Sequence, residues 1–177
     1  MADLDKYWQK GLTFSEFLAQ ATKNRDLWDG LYNVAQVPSW ALEAIPTDAD
    51  LRMLVIAEDW CGDASNTVPI LAKLADQTEA LDLKIVGRDN NPDLMNEYLT
   101  NGSRSIPMVI VLDHESNEIG HWGPRPRELQ EWVMANRTTM PKEQLYPLVR
   151  RWYARDRGET TLREVLEAAG LMAGKAD

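Results

Sequence analysis

The sequence predicts an α/β fold: a mixed sheet of about four or five strands with helices on both faces, extended by helices at each end. Three observations predict it. Leu51 to Ala57 is a nearly continuous apolar run, the pattern of a strand buried on both faces. A helical pattern follows, roughly Asp63 to Gln77, and then a second apolar run, so strand and helix alternate as in a parallel crossover. Two further strand-like runs, Met108 to Leu112 and Glu118 to Trp122, flank the turn-forming Asp113 to Asn117, which reads as an antiparallel hairpin.

Each element has a local reason. Residues 1–46 read as helical: Thr13 or Ser15 caps a helix carrying Phe14, Phe17 and Leu18, and a second stripe, Leu27, Leu31 and Val34, ends at Pro38. Residues 47–137 read as the core. After the strand at 51–57, the helix carrying Val68, Ile70, Leu71 and Leu74 contains Pro69, which removes one N–H and predicts a kink. Leu83 to Val86 forms the second strand, and Asn90-Asn91-Pro92 opens a short helix. After the hairpin, Gly123-Pro124-Arg125-Pro126 breaks the chain before a helix with Leu129, Trp132 and Val133. Residues 138–177 are a second helical extension. Leu145, Leu148, Val149, Trp152 and Tyr153 form its apolar stripe, and Arg150, Arg151, Arg155 and Arg157 its wet side. Gly158 ends that helix, Thr160 or Thr161 caps a last one, and Met172 to Asp177 read as frayed. All three segments are expected to form one compact domain.

Composition narrows the function. Hydrophobic residues make up 44% of the 177 and charged residues 27%, enough for a packed core. A net charge of −9 argues against a nucleic-acid partner. No apolar run reaches the roughly 18 residues of a membrane span, and the first residues lack the basic-then-apolar pattern of a secretion signal. A single cysteine forms no disulfide within this chain, which fits a reducing cytoplasm. With one cysteine, and with His114 and His121 seven residues apart, neither a metal site nor a cofactor is expected.

That cysteine carries the one chemical hypothesis. Cys61 sits in Glu58-Asp59-Trp60-Cys61-Gly62-Asp63-Ala64, where a strand gives way to a helix. Free N–H groups at a helix start stabilise a thiolate, whereas Glu58, Asp59 and Asp63 oppose a second anion. Asp63 also suits the first helical turn for its own sake. The alternative for Cys61 is an inert, partly buried thiol.

The same residues resemble the thioredoxin superfamily. Trp60-Cys61-Gly62-Asp63-Ala64 is similar to the family's Trp-Cys-Gly-Pro-Cys motif, and Asp89-Asn90-Asn91-Pro92 to the segment after its central strand. Ser103-Arg104-Ser105-Ile106-Pro107 is similar to the loop ending in a cis-proline, and Gly123 falls where the family keeps a glycine. The resemblance spans roughly residues 50–137 and is nearest to a poorly characterised bacterial branch. It implies that Cys61 is the nucleophile and that Trp60 and Gly62 shape the surface around it, with Asp63 alongside. It also implies that Ile106 and Pro107 offer a backbone edge to an extended peptide or a small thiol. Arg104 and Arg125 are candidates to meet a carboxylate on that ligand, the alternative for each being a solvated surface arginine. Ala64 replaces the resolving cysteine, and Val55 and Ile85 replace the family's buried aspartate and lysine.

Two functions follow. In the first, Cys61 acts alone in monothiol exchange with a small thiol or a protein disulfide. In the second, the fold is a non-catalytic module binding a peptide or small ligand. A thiol pKa above about 9 favours the second. A homodimer joined through Cys61 is a third reading.

Overall fold

The computed structural model describes residues 1–174. Four strands form one sheet in the order β2-β1-β3-β4, with β1 at Leu51–Ala57, β2 at Leu81–Gly87, β3 at Met108–Leu112 and β4 at Glu118–Trp122. β1 pairs parallel with β2 and antiparallel with β3, and β3 pairs antiparallel with β4. Consecutive positions of β1 and β3 are buried, which requires cover on both faces and explains why both read as unbroken apolar runs. The register sets Val55 opposite Ile85, so the two apolar substitutions noted in the sequence are neighbours in the sheet.

Four helices precede the sheet: α1 (Leu4–Lys10), α2 (Phe14–Gln20), α3 (Arg25–Val34) and α4 (Ser39–Glu43). Thr13 caps α2 through a reciprocal pair, its hydroxyl accepting from the Glu16 N–H and Glu16 accepting from the Thr13 N–H. Between α1 and α2 the backbone of Leu12 exchanges two hydrogen bonds with Ile85 of β2, at 2.7 and 2.8 Å. Gly11 permits that approach, because a Cβ there would lie 2.8 Å from the Lys84 Cβ. The stripe expected of α3 is corrected: Trp28 is its buried side chain, at 0% exposure, while Leu27 and Val34 face outward.

The crossover helix α5 (Gly62–Asp76) runs on through Pro69 for 15 residues. The short α6 (Pro92–Asn96) follows β2, and α7 (Arg127–Asn136) follows β4. Leu129 and Val133 of α7 pack with Leu145, Val149 and Tyr153 of α8 (Lys142–Asp156) as a satellite core. Glu159–Ala168 forms α9, whose Leu162, Val165 and Leu166 join the main core. Its expected caps are also corrected: Gly158, with φ 79°, holds the N-cap position, and Thr160 and Thr161 lie inside the helix. Residues 175–177, the end of the segment expected to fray, lie outside the described residues.

Candidate functional site

Strand β1 ends at Ala57, and the next residues are tied down by acids that cap other backbone groups. The Asp59 carboxylate accepts the N–H groups of Thr22 and Lys23 at 2.8 and 3.0 Å, and its carbonyl accepts the Trp28 indole N–H at 2.9 Å. Glu58 accepts the Asp89 N–H at 3.0 Å. These contacts pull the loop after α2 and the loop after β2 onto the Cys61 turn. Of the three acids expected to disfavour the thiolate, Asp63 raises the Cys61 pKa, while the Glu58 and Asp59 carboxylates are engaged by N–H groups of other loops.

Cys61 occupies the N-cap position of α5 and is 7% exposed. Its thiol donates to the Ile106 carbonyl at 3.5 Å. Burial pushes its pKa above the ordinary thiol value, and the Asp63 carboxylate adds to the rise. The Ala64 and Asp63 N–H groups and the Arg125 guanidinium oppose the rise without cancelling it. Thus the helix start helps the thiolate, as its position predicts, but desolvation wins.

Asp63 is held by two other elements. Arg125, in the turn after β4, meets it through two nearly parallel contacts of 2.8 and 2.9 Å, a bidentate pair. The Tyr153 hydroxyl of α8 donates to it at 2.8 Å. Burial, followed by the Asp63 charge, drives the Tyr153 pKa upward. Arg125 also donates to Gln130 at 2.7 Å. Asp63 is thus a clamp between the Cys61 turn, the β4–α7 turn and α8.

The peptide bonds Ile106–Pro107 and Gly123–Pro124 are both cis. Gly123 has φ 139°, and a Cβ there would overlap the Pro107 carbonyl oxygen, so the glycine is what lets the two proline turns pack together.

Above Cys61 opens a cleft of about 510 Å3. It is lined by Trp60, Cys61, Gly62 and Asp63 of the turn, by Ser105, Ile106, Pro124 and Arg125 of the two proline turns, and by Asn24, Leu27 and Arg88. Tyr146, Val149 and Arg150 of α8 complete the lining. Trp60, at 47% exposure, lies beside the opening with the Arg88 guanidinium 5.0 Å from its ring. Leu27 and Tyr146 are exposed at the same rim. Of the residues singled out from the sequence, Cys61, Trp60, Gly62, Asp63 and Ile106 come together here, with Pro107 buried behind Ile106. Arg104 does not line the cleft; its guanidinium donates to Asn96 at 2.9 Å. Trp122 turns away to donate to Glu164 of α9.

The contributions of α3 and α8 escaped the sequence reading. A signal existed: Tyr146, Val149 and Arg150 are spaced i, i+3, i+4 and therefore share one helical face. A larger cavity of about 600 Å3 lies between α3, α5 and the α8–α9 corner, but it holds no thiol. Among the described residues no cluster of three metal-binding side chains occurs, and no helix is long and apolar enough to cross a membrane.

Two solved structures share this architecture. A protein of unknown function from Pseudomonas aeruginosa aligns over 96% of this chain and 98% of its own, with 21% identity and a TM-score of 0.76. An HIV epitope-scaffold aligns over 97% of this chain and 100% of its own, with 20% identity and a TM-score of 0.75. At such identities the likeness shows the fold alone. No curated protein matches the chain. The family model described as thioredoxin matches residues 11–141, which takes in α2 to α4, the sheet, the Cys61 turn and both cis-prolines. The chain belongs to the thioredoxin family.

Proposed function

We propose that this protein is a thioredoxin-fold binding module of the cytoplasm, whose cleft over Cys61 receives an extended peptide without exchanging sulfur. The observation that carries this reading is the state of the thiol. Cys61 is buried, donates to the Ile106 carbonyl and is held above the ordinary thiol pKa, so little thiolate is present at neutral pH. Ala64 adds that no second sulfur stands by to release a mixed disulfide. Beside this quiet thiol, Trp60, Leu27 and Tyr146 expose apolar surface around an open cleft. The Ile106 N–H, which has no partner among the described residues, suits main-chain pairing with a peptide.

Monothiol exchange is the second reading, favoured by the Asp63 and Ala64 N–H groups that face the sulfur. The Cys61 thiolate would attack one sulfur of a disulfide, the S–S bond would break, and the departing thiolate would take up a proton. The thiolate of a low-molecular-weight thiol would then attack the outer sulfur of the mixed disulfide, forming a new disulfide and releasing Cys61 as its thiolate.

Treating the native protein with oxidised glutathione at pH 7 and measuring peptide binding by the Cys61→Ser variant separates the two. Unchanged peptide affinity without a mixed disulfide is the expected result. Rapid formation of the mixed disulfide at pH 7, or loss of binding in Cys61→Ser, would establish the exchange reading instead. A disulfide-linked dimer on a nonreducing gel would point to self-association through Cys61.

A further inference from the structure

A second cavity of about 360 Å3 lies next to the Cys61 cleft and shares Ser105 with it. The loop Thr100–Ser105 forms one side of it, and α7 and α8 form the other through Met134, Arg137, Lys142 and Tyr146. Ser105, Arg125 and Tyr146 line both cavities, so the two adjoin one another across these side chains. Each has the volume of a small-ligand pocket, and the two side by side offer a groove with room for a chain.

The charge on this groove runs against that of the protein. The whole chain carries −9. Along the groove, the only acidic side chain is Asp63, and both of its oxygens are engaged by Arg125. Arg88 is paired with Asp89. Arg137, Lys142 and Arg150 are exposed and form no ion pair among the described residues. Three uncompensated cations thus gather on one groove of a strongly acidic protein.

We propose that the groove binds an extended acidic peptide, with main-chain pairing at Ile106 and carboxylates meeting Arg150, Arg137 and Lys142. This rests on the binding reading above and adds the chemical class of the partner. A long polyanion would feel the net −9 along its whole length. A short acidic segment feels chiefly the local cations, since charges separated by more than about 8 Å are screened at physiological ionic strength.

The test uses fluorescence anisotropy on the full chain with a labelled heptapeptide of alternating Glu and Val, and with a matched peptide carrying Gln for Glu. The acidic peptide is expected to bind about tenfold more tightly at about 50 mM salt, and most of that advantage should vanish at about 500 mM. The double variant Arg137→Glu/Lys142→Glu, checked for native circular dichroism, should lose most of the advantage, with Arg150 retaining the remainder. Equal affinity for the two peptides, or an acidic preference undiminished in the double variant, would overturn the acidic groove and leave the binding reading intact. Failure of both peptides to bind would remove the binding reading itself. Tighter binding of a single-stranded oligonucleotide of equal charge, or self-association that displaces the peptide, would overturn the choice of occupant.

Discussion

The Asp63–Arg125 pair links stability to the state of the thiol, and a double-mutant cycle on Asp63→Asn and Arg125→Gln measures both. The two side chains are 14% and 20% exposed, and their charges meet through contacts of 2.8 and 2.9 Å. Unit charges about 4 Å apart attract by ~4 kcal/mol at an effective permittivity of ~20. Desolvation of the pair takes back about half, leaving a coupling of ~2 kcal/mol. Each single variant strands one charge and should cost about 3 kcal/mol, and the double variant about 4 kcal/mol. Urea unfolding followed by circular dichroism reads these values. The thiol gives a second readout with a known sign. Asp63→Asn removes an anion that pushes Cys61 up and leaves Arg125, which pulls it down, so iodoacetamide should label Cys61 faster at pH 7. Arg125→Gln should slow the labelling. A coupling below about 0.5 kcal/mol, or equal labelling rates in all four proteins, would refute the clamp as drawn.

Gly123→Ala forces a side chain to share space with the Pro107 carbonyl at φ 139°; a loss of at least about 2 kcal/mol is expected in thermal or urea unfolding, and a neutral result would contradict the packing of the two proline turns. Asp59→Ala leaves the exposed Thr22 and Lys23 N–H groups to water; it should cost about 0.5–1.5 kcal/mol, and hydrogen exchange at residues 22 and 23 should accelerate. Because folding raises the Cys61 pKa, the folded protein keeps a proton that the unfolded chain releases. This contribution to stability is complete below the unfolded thiol pKa of about 8.5 and is lost as pH rises through the folded value. Thiolate absorbance at alkaline pH, with Cys61→Ser as the blank, should titrate above the ordinary thiol range, and titration near neutrality would overturn the binding reading.

The sheet was readable because its inner strands are covered on both faces: an unbroken apolar run such as Met108 to Leu112 can hardly lie anywhere else. Turn chemistry fixed the hairpin just as locally, with Asp113 accepting the N–H groups of Glu115 and Asn117. The Cys61 turn and Ile106 were legible through the family pattern. What escaped was long-range. Nothing near Trp28 in the chain says that its indole seals the Cys61 turn, since its acceptor is the carbonyl of Asp59, 31 residues away. Tyr153 lies 90 residues from Asp63 and looked like one more member of an apolar stripe. Arg150 is exposed, as the helical periodicity of α8 predicts, but periodicity does not say that a cleft lies beside it. The structural task of the acids beside Cys61 was hidden for a related reason: sequence proximity shows their charge near the thiol, but not that Glu58 and Asp59 hold N–H groups of other loops.

The two-bond bridge from Leu12 to Ile85 occupies part of the outer margin of β2. At the opposite margin, β4 is only five residues long, carries Glu118 hydrogen-bonded to His121, and meets β3 with a register shift between Val111 and Leu112. Short length, charge and irregular pairing are the means by which sheets refuse to recruit strands from neighbouring molecules. Crowded copies of this protein therefore lack an easy template for growing into continuous fibrillar ribbons, and the segment around Leu12 is where truncation would most directly remove that safeguard.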